Sequence, residues 1–154
     1  MITRCRNGTG SLQFVLQEYF PPSPNILNAK HWRHKTHEKN RCMEHVSFSL
    51  LGIDIPRFEG AVKMSIARAY RKPKQPMDPD NLVAACKMLI DCIREPSPNM
   101  KRRSRGLGII KDDTREIIPG GPKVIQFQMP DRSDYLQGVN LATLVKIDGV
   151  MIDE

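Results

Sequence analysis

The sequence has no apolar run that approaches the length of a membrane span, which leaves no expectation of a membrane partner. The first eight residues, Met1 to Gly8, carry no hydrophobic signal region, so a cytoplasmic protein is expected. Cysteine is sparse: Cys5, Cys42, Cys86 and Cys92 show no CxxC spacing and lie far apart. Cys86 and Cys92 fall in one expected helix, where a bridge would be geometrically poor. Free thiols in a reducing compartment are the simpler reading. Internal repeats are also lacking.

What is present is the composition of one globular domain. The 154 residues are 40% hydrophobic and 27% charged, enough to bury a core. Twelve prolines and ten glycines argue for irregular stretches between the elements. The net charge of +7 favours a polyanionic partner, although basicity alone is weak evidence.

Periodicity gives a coarse order of elements. Leu12, Phe14 and Leu16 alternate with Gln13 and Gln17, as in a strand with one buried face. Pro21-Pro22-Ser23-Pro24-Asn25 stops it. A helix is predicted from about His31 to Leu51, and a second strand from about Ala61 to Arg71. Another helix is predicted over about Asn81 to Arg94, then a long loop to Gly108 and a short strand at Gly108–Lys111. Val124 to Met129 alternates again. The stretch from Leu141 to Met151 reads loosely as a strand pair around Asp148-Gly149, a turn dipeptide. This order predicts a single α+β domain: a small mixed or antiparallel sheet packed with two helices. Residues 131–154 stand apart as a C-terminal extension of undefined structure.

The stretch richest in chemistry is Met77-Asp78-Pro79-Asp80-Asn81-Leu82, joined later by Lys111-Asp112-Asp113. On the helix, Leu82, Ala85, Cys86, Leu89 and Ile93 gather on one side, and Asp80, Ala84, Lys87 and Asp91 on the other. One reading is a solvated face, with Asp78 or Asp80 as a cap and Lys87 and Asp91 as a surface pair. The other is a metal site. Asp78 and Asp80 sit two apart where an extended segment runs into the helix, so both carboxylates can point the same way. If Asp112 and Asp113 join them, the cluster repels itself unless a cation neutralises it, and oxygen-only ligands suit Mg²⁺, with Mn²⁺ as the alternative. Such ions activate water and stabilise the leaving oxygen in phosphodiester cleavage. An EF-hand is excluded, because Leu82 and Val83 stand where its loop needs an oxygen ligand and a glycine.

These residues resemble the RusA family of Holliday-junction resolvases. The resemblance rests on Asp78-Pro79-Asp80-Asn81-Leu82 opening a helix that carries Lys87 and Asp91, and on Ile110-Lys111-Asp112-Asp113 after a short apolar strand. Upstream, Phe20-Pro21-Pro22-Ser23-Pro24-Asn25 is similar to the family's Pro-Pro-Ser-x-Asn segment. The match covers about residues 12 to 129, giving a RusA-like nuclease domain over residues 1–130. It implies a homodimeric, Mg²⁺-dependent endonuclease of α+β fold that cuts four-way DNA junctions in recombination and repair. Asp78, Asp80 and Asp113 would be the catalytic metal ligands, with Asp112 beside them. The family lysine lies one turn after the Asp-x-Asp. Here that position is Ala84 and Lys87, the candidate for that catalytic lysine, follows a turn later, on the same face and with its spacing to Asp91 kept.

Two basic segments suit a DNA partner. Lys101-Arg102-Arg103-Ser104-Arg105 directly precedes the strand that delivers Asp113 and would contact phosphates, or else be a solvated loop. Lys30, Arg33 and Lys35 flank Trp32, which would stack on DNA or pack against the core. His31, His34 and His37 lack a fourth ligand and read as a basic helix face rather than a zinc site. Two other functions remain open: a nucleic-acid-binding module with an inactive acidic cluster, and a metal-dependent phosphoesterase acting on small substrates.

Overall fold

A computed structural model describes residues 1–96, 106–130 and 138–152. The chain runs β1 (Ile2–Arg4), β2 (Thr9–Gln17), α1 (Pro24–Asn28), α2 (Trp32–Ser49), β3 (Arg57–Tyr70), α3 (Pro79–Ile93), β4 (Lys123–Gln128) and β5 (Leu141–Ile152). The strands form one sheet in the order β1-β2-β5-β3-β4. Its pairs are antiparallel except β3 with β4, which is parallel. The domain is therefore α+β with a mixed sheet, as expected. The two predicted helices are α2 and α3, and α1 adds a short third. Among the described residues, no helix is long and apolar enough to cross a membrane.

One sheet face carries Leu12, Phe14 and Leu16 from β2, Met64 and Ile66 from β3, and Val145 and Ile147 from β5. They share a buried cluster with Cys42 and Val46 of α2 and with Leu82, Ala85, Cys86, Leu89 and Ile93 of α3. The period of two on the strands and the 3.6-residue period on α3 thus meet in one core. Burial pushes the Cys86 thiol up to about 12, so it stays a neutral apolar group. The four cysteines are free.

Two stretches differ from expectation. Leu141–Ile152 is one continuous strand, hydrogen-bonded to β2 on one side and β3 on the other, not a pair closed by a turn. The sheet thus runs on to residue 152, past the boundary at 130 that the sequence suggested. Gly149 sits at a close approach within the strand rather than in a turn. A Cβ there would meet Phe58 Cδ1 at 3.0 Å and Val62 Cγ1 at 3.1 Å. It lies opposite a bulge between Glu59 and Lys63 that bends β3 over it.

Gly108–Lys111 is not a strand. It makes a single parallel bridge, Arg94 with Ile110. The segment is instead bonded to the end of α3 and the start of β3: Ile109 N–H donates to Ile93 O at 2.8 Å, and Phe58 N–H donates to Ile109 O at 2.9 Å. Ile109 and Ile110 are buried there, which is why they read as strand residues.

Candidate active site

The acids sit on two supports, the N-terminus of α3 and the turn after Ile110. Asp78 is the N-cap of α3. Its Oδ1 accepts from the backbone N–H groups of Asp80 at 3.0 Å and Asn81 at 3.3 Å, satisfying two donors that the first helical turn leaves open. Pro79 at the first position has no N–H to lose. Asp80 follows in the first turn, where a negative charge is favoured by the helix dipole. Both acids are solvent-exposed.

The segment that leads into this cap is held by a side chain that the sequence did not single out. Gln126 of β4 accepts from Met77 N–H at 2.9 Å and donates through Nε2 to Met77 O at 2.6 Å. The amide therefore pairs with both peptide groups of the residue before Asp78, as a neighbouring strand would. Beneath it, Arg68 is only 7% exposed. Its guanidinium donates to Gln75 O at 3.1 Å and Gln126 Oε1 at 3.4 Å, and lies over the rings of Tyr70 and Phe20. Burial lowers its pKa, and among the described residues no carboxylate pairs with it. Arginine is the cation best suited to such a place, because its flat fork is weakly hydrated and stacks on aromatic faces. The only sequence sign of this brace was an arginine at a core-facing position of β3.

The second group of acids lies along α3, beyond its first turns. Lys87 donates to Asp113 Oδ2 and stands 3.6 Å from Asp91 Oδ1. Arg94 donates to Asp112 Oδ1 at 3.2 Å and Asp113 Oδ1 at 3.4 Å. Its Nε is also 3.2 Å from Asp91 Oδ1. That oxygen is buried and lacks a hydrogen bond of good geometry, so its pairing with the two cations is electrostatic. Asp113 N–H donates to Asp112 Oδ1 at 2.8 Å, which fixes the turn that carries both acids. The Lys87 ammonium beside Asp113 holds its carboxyl below the usual carboxylate range. The same bond raises Lys87 above the usual lysine range, against a smaller opposing effect of burial.

Lys87, Asp112 and Asp113 are thus brought together, with Asp91 and Arg94 completing the network. Asp78 and Asp80 do not join them. Lys87 lies about two turns, or roughly 10 Å of helix axis, beyond Asp80 on the same face. Among the described residues, no group of three or more histidine, cysteine or carboxylate side chains gathers closely enough to hold a metal ion. The expected convergence of Asp78, Asp80, Asp112 and Asp113 on one point is not found. Asp78 and Asp80 stand at the start of α3, where Asp78 Oδ1 caps the helix, whereas Asp112 and Asp113 pair with Arg94 and Lys87 about two turns or more further along.

Of the expected DNA contacts, Lys101, Arg102, Arg103 and Arg105 lie outside the described residues. Lys30, Arg33 and Lys35 lie around the start of α2, with Lys30 and Arg33 exposed. They are tied to the acidic end of α3 through α1. Lys35 Nζ donates to Asn28 Oδ1 at 3.0 Å, and Asn25 Nδ2 donates to Asn81 Oδ1 at 2.8 Å. α1, which the Pro-Pro-Ser-Pro-Asn segment opens, thus bridges the basic start of α2 and the acidic start of α3. Comparison with protein-family models, curated proteins and solved structures finds no match to this chain.

Proposed function

We propose that the chain is a structure-selective endodeoxyribonuclease of the RusA kind, acting on branched DNA with the exposed face of α3 as its working surface. The observation that supports this most is the bond between Lys87 and Asp113. It joins the two halves of the acidic motif across the basic loop, and it gives the displaced lysine a partner in that motif.

The roles follow from chemistry. The Lys87 ammonium offsets negative charge developing on a phosphodiester. Arg94 orients Asp112 and Asp113. Lys30, Arg33 and Lys35 add salt-dependent attraction for the DNA backbone. The oxygen-only donors Asp78, Asp80, Asp112 and Asp113 are chemically suited to Mg²⁺ or Mn²⁺. As they stand among the described residues they do not form a closed metal centre. Two-fold pairing of chains and a preference for four-way junctions belong to the same proposal.

The test is cutting of a synthetic four-way junction with and without Mg²⁺, beside linear duplex of the same sequence. Mg²⁺-dependent cutting at the branch, lost in Asp80→Asn while junction binding persists, is the expected result. Normal cutting by Asp80→Asn would overturn the site assignment.

A second reading is favoured by one specific observation: Asp78, Asp112 and Asp113 all have partners within the protein. A basic DNA-binding module whose acids only brace α3 would show this pattern. It predicts junction binding with no cutting in either Mg²⁺ or Mn²⁺.

A further inference from the structure

The single tryptophan is in an unusual place. Trp32 is the first residue of α2 and is 60% exposed. Leaving so large an apolar side chain in water forgoes its burial, although isolated exposed apolar residues are common. What separates Trp32 from the others is its surroundings. Phe48 and Leu51, 76% and 70% exposed at the opposite end of α2, have no such setting of cations in the sequence around them. Trp32 has Lys30, Arg33 and Lys35 as near neighbours, and no acid stands in the first turn of the helix. The Arg33 guanidinium lies 5.5 Å above its ring, and the His31 ring packs at a tilt 5.4 Å away.

An exposed indole among cations fits a nucleobase with its flanking phosphates. A base inside an intact duplex offers no free ring face, whereas a base at a branch point can unstack and be received by an aromatic ring. The location fits as well. The bonds from Lys35 to Asn28 and from Asn25 to Asn81 tie the start of α2 through α1 to the acid-bearing end of α3.

We propose that Trp32 is a base-stacking residue that receives an unpaired nucleobase of branched DNA, while Lys30, Arg33 and Lys35 hold the adjoining phosphates. The inference rests on the DNA-directed reading above. Trp32 confers preference for the branch; it is a binding residue, not a catalytic one.

Because no other tryptophan is present, its fluorescence reports this position alone. The full chain in EDTA, where metal-dependent cutting is suppressed, is titrated with a four-way junction and with linear duplex of the same sequence. The expected result is marked quenching by the junction and little by the duplex. Trp32→Ala should weaken junction binding about tenfold, the scale of one lost base stack, and leave duplex affinity nearly unchanged. Trp32→Phe should recover most of the loss. Wild-type junction affinity in Trp32→Ala overturns the proposal, as does equal quenching by both DNAs or binding of neither. If quenching and the Trp32→Ala loss hold but the wild-type chain never cuts in Mg²⁺ or Mn²⁺, the nuclease reading fails and the stacking site stands. If the chain cuts junctions and Trp32→Ala binds them as wild type does, only the stacking site fails.

Discussion

Lys87 of α3 is hydrogen-bonded to Asp113, 26 positions further along the chain and beyond the basic loop. The lysine side chain is 63% exposed and the aspartate 21%, so solvent screens the pair and its share of stability is small, under about 1 kcal/mol. Its larger effect is expected on activity. Lys87→Met should leave the melting temperature within a few degrees of wild type and reduce single-turnover junction cutting by about 100-fold. Unchanged cutting would make the contact a surface ion pair only.

The pH dependence of that pair has a definite sign. Asp113 is held below its ordinary range, so its contribution is fully present above about pH 3.9, the unperturbed carboxyl value, and is lost as pH falls through the lowered one. Lys87 is raised, so its contribution is fully present below about pH 10.4 and is lost as pH rises through the raised value. The difference in melting temperature between wild type and Lys87→Met should therefore be widest from mildly acid to mildly alkaline pH and close at both ends. A difference that grows toward low pH would contradict the pairing.

Gln126 is a second lever on the acids. Gln126→Ala removes two hydrogen bonds from Met77 and one from Arg68. Leaving these partly buried groups unpaired should cost about 1–3 kcal/mol in denaturant unfolding. Under the nuclease reading, the same variant should also lower cutting at temperatures where it remains folded, because the segment entering the Asp78 cap is released. Gln126→Asn, one methylene shorter, should not restore either property.

The amphipathic face of α3, its acid-proline start and the alternation in β2, β3 and β4 were legible because each has a local period or a local cap. β5 was not. Gly149 beside Asp148 has the look of a turn, and only the packing of Phe58 and Val62 against it explains a glycine in mid-strand. Ile109 and Ile110 misled for a related reason: burial made a bonded loop resemble a strand. The same limit applied to the acids. Their types and order were readable, but the choice of partners was not. Lys87 and Arg94 take Asp112 and Asp113 through contacts between an element and a turn far apart in sequence. Gln126 gave no signal at all, since a glutamine on an alternating strand looks like any exposed polar residue.

Gly149→Val offers a direct check on β5. A side chain there must displace Phe58 or Val62, and overpacking of this kind should destabilise the domain by about 1–3 kcal/mol. A neutral effect would mean that the β3 bulge yields easily.

The position of β5 also shapes how the molecule assembles. Of the five strands it is synthesised last, yet it separates β2 from β3, which have no ladder with each other. The two longest of the four described ladders therefore wait on a segment over a hundred residues downstream of β2, a topology of high contact order that folds slowly. Until that ribbon slides in, the flanks of β2 and β3 stand as open edges. A nascent chain of this kind is vulnerable to mispairing, and helices α2 and α3 alone must shield its apolar surface.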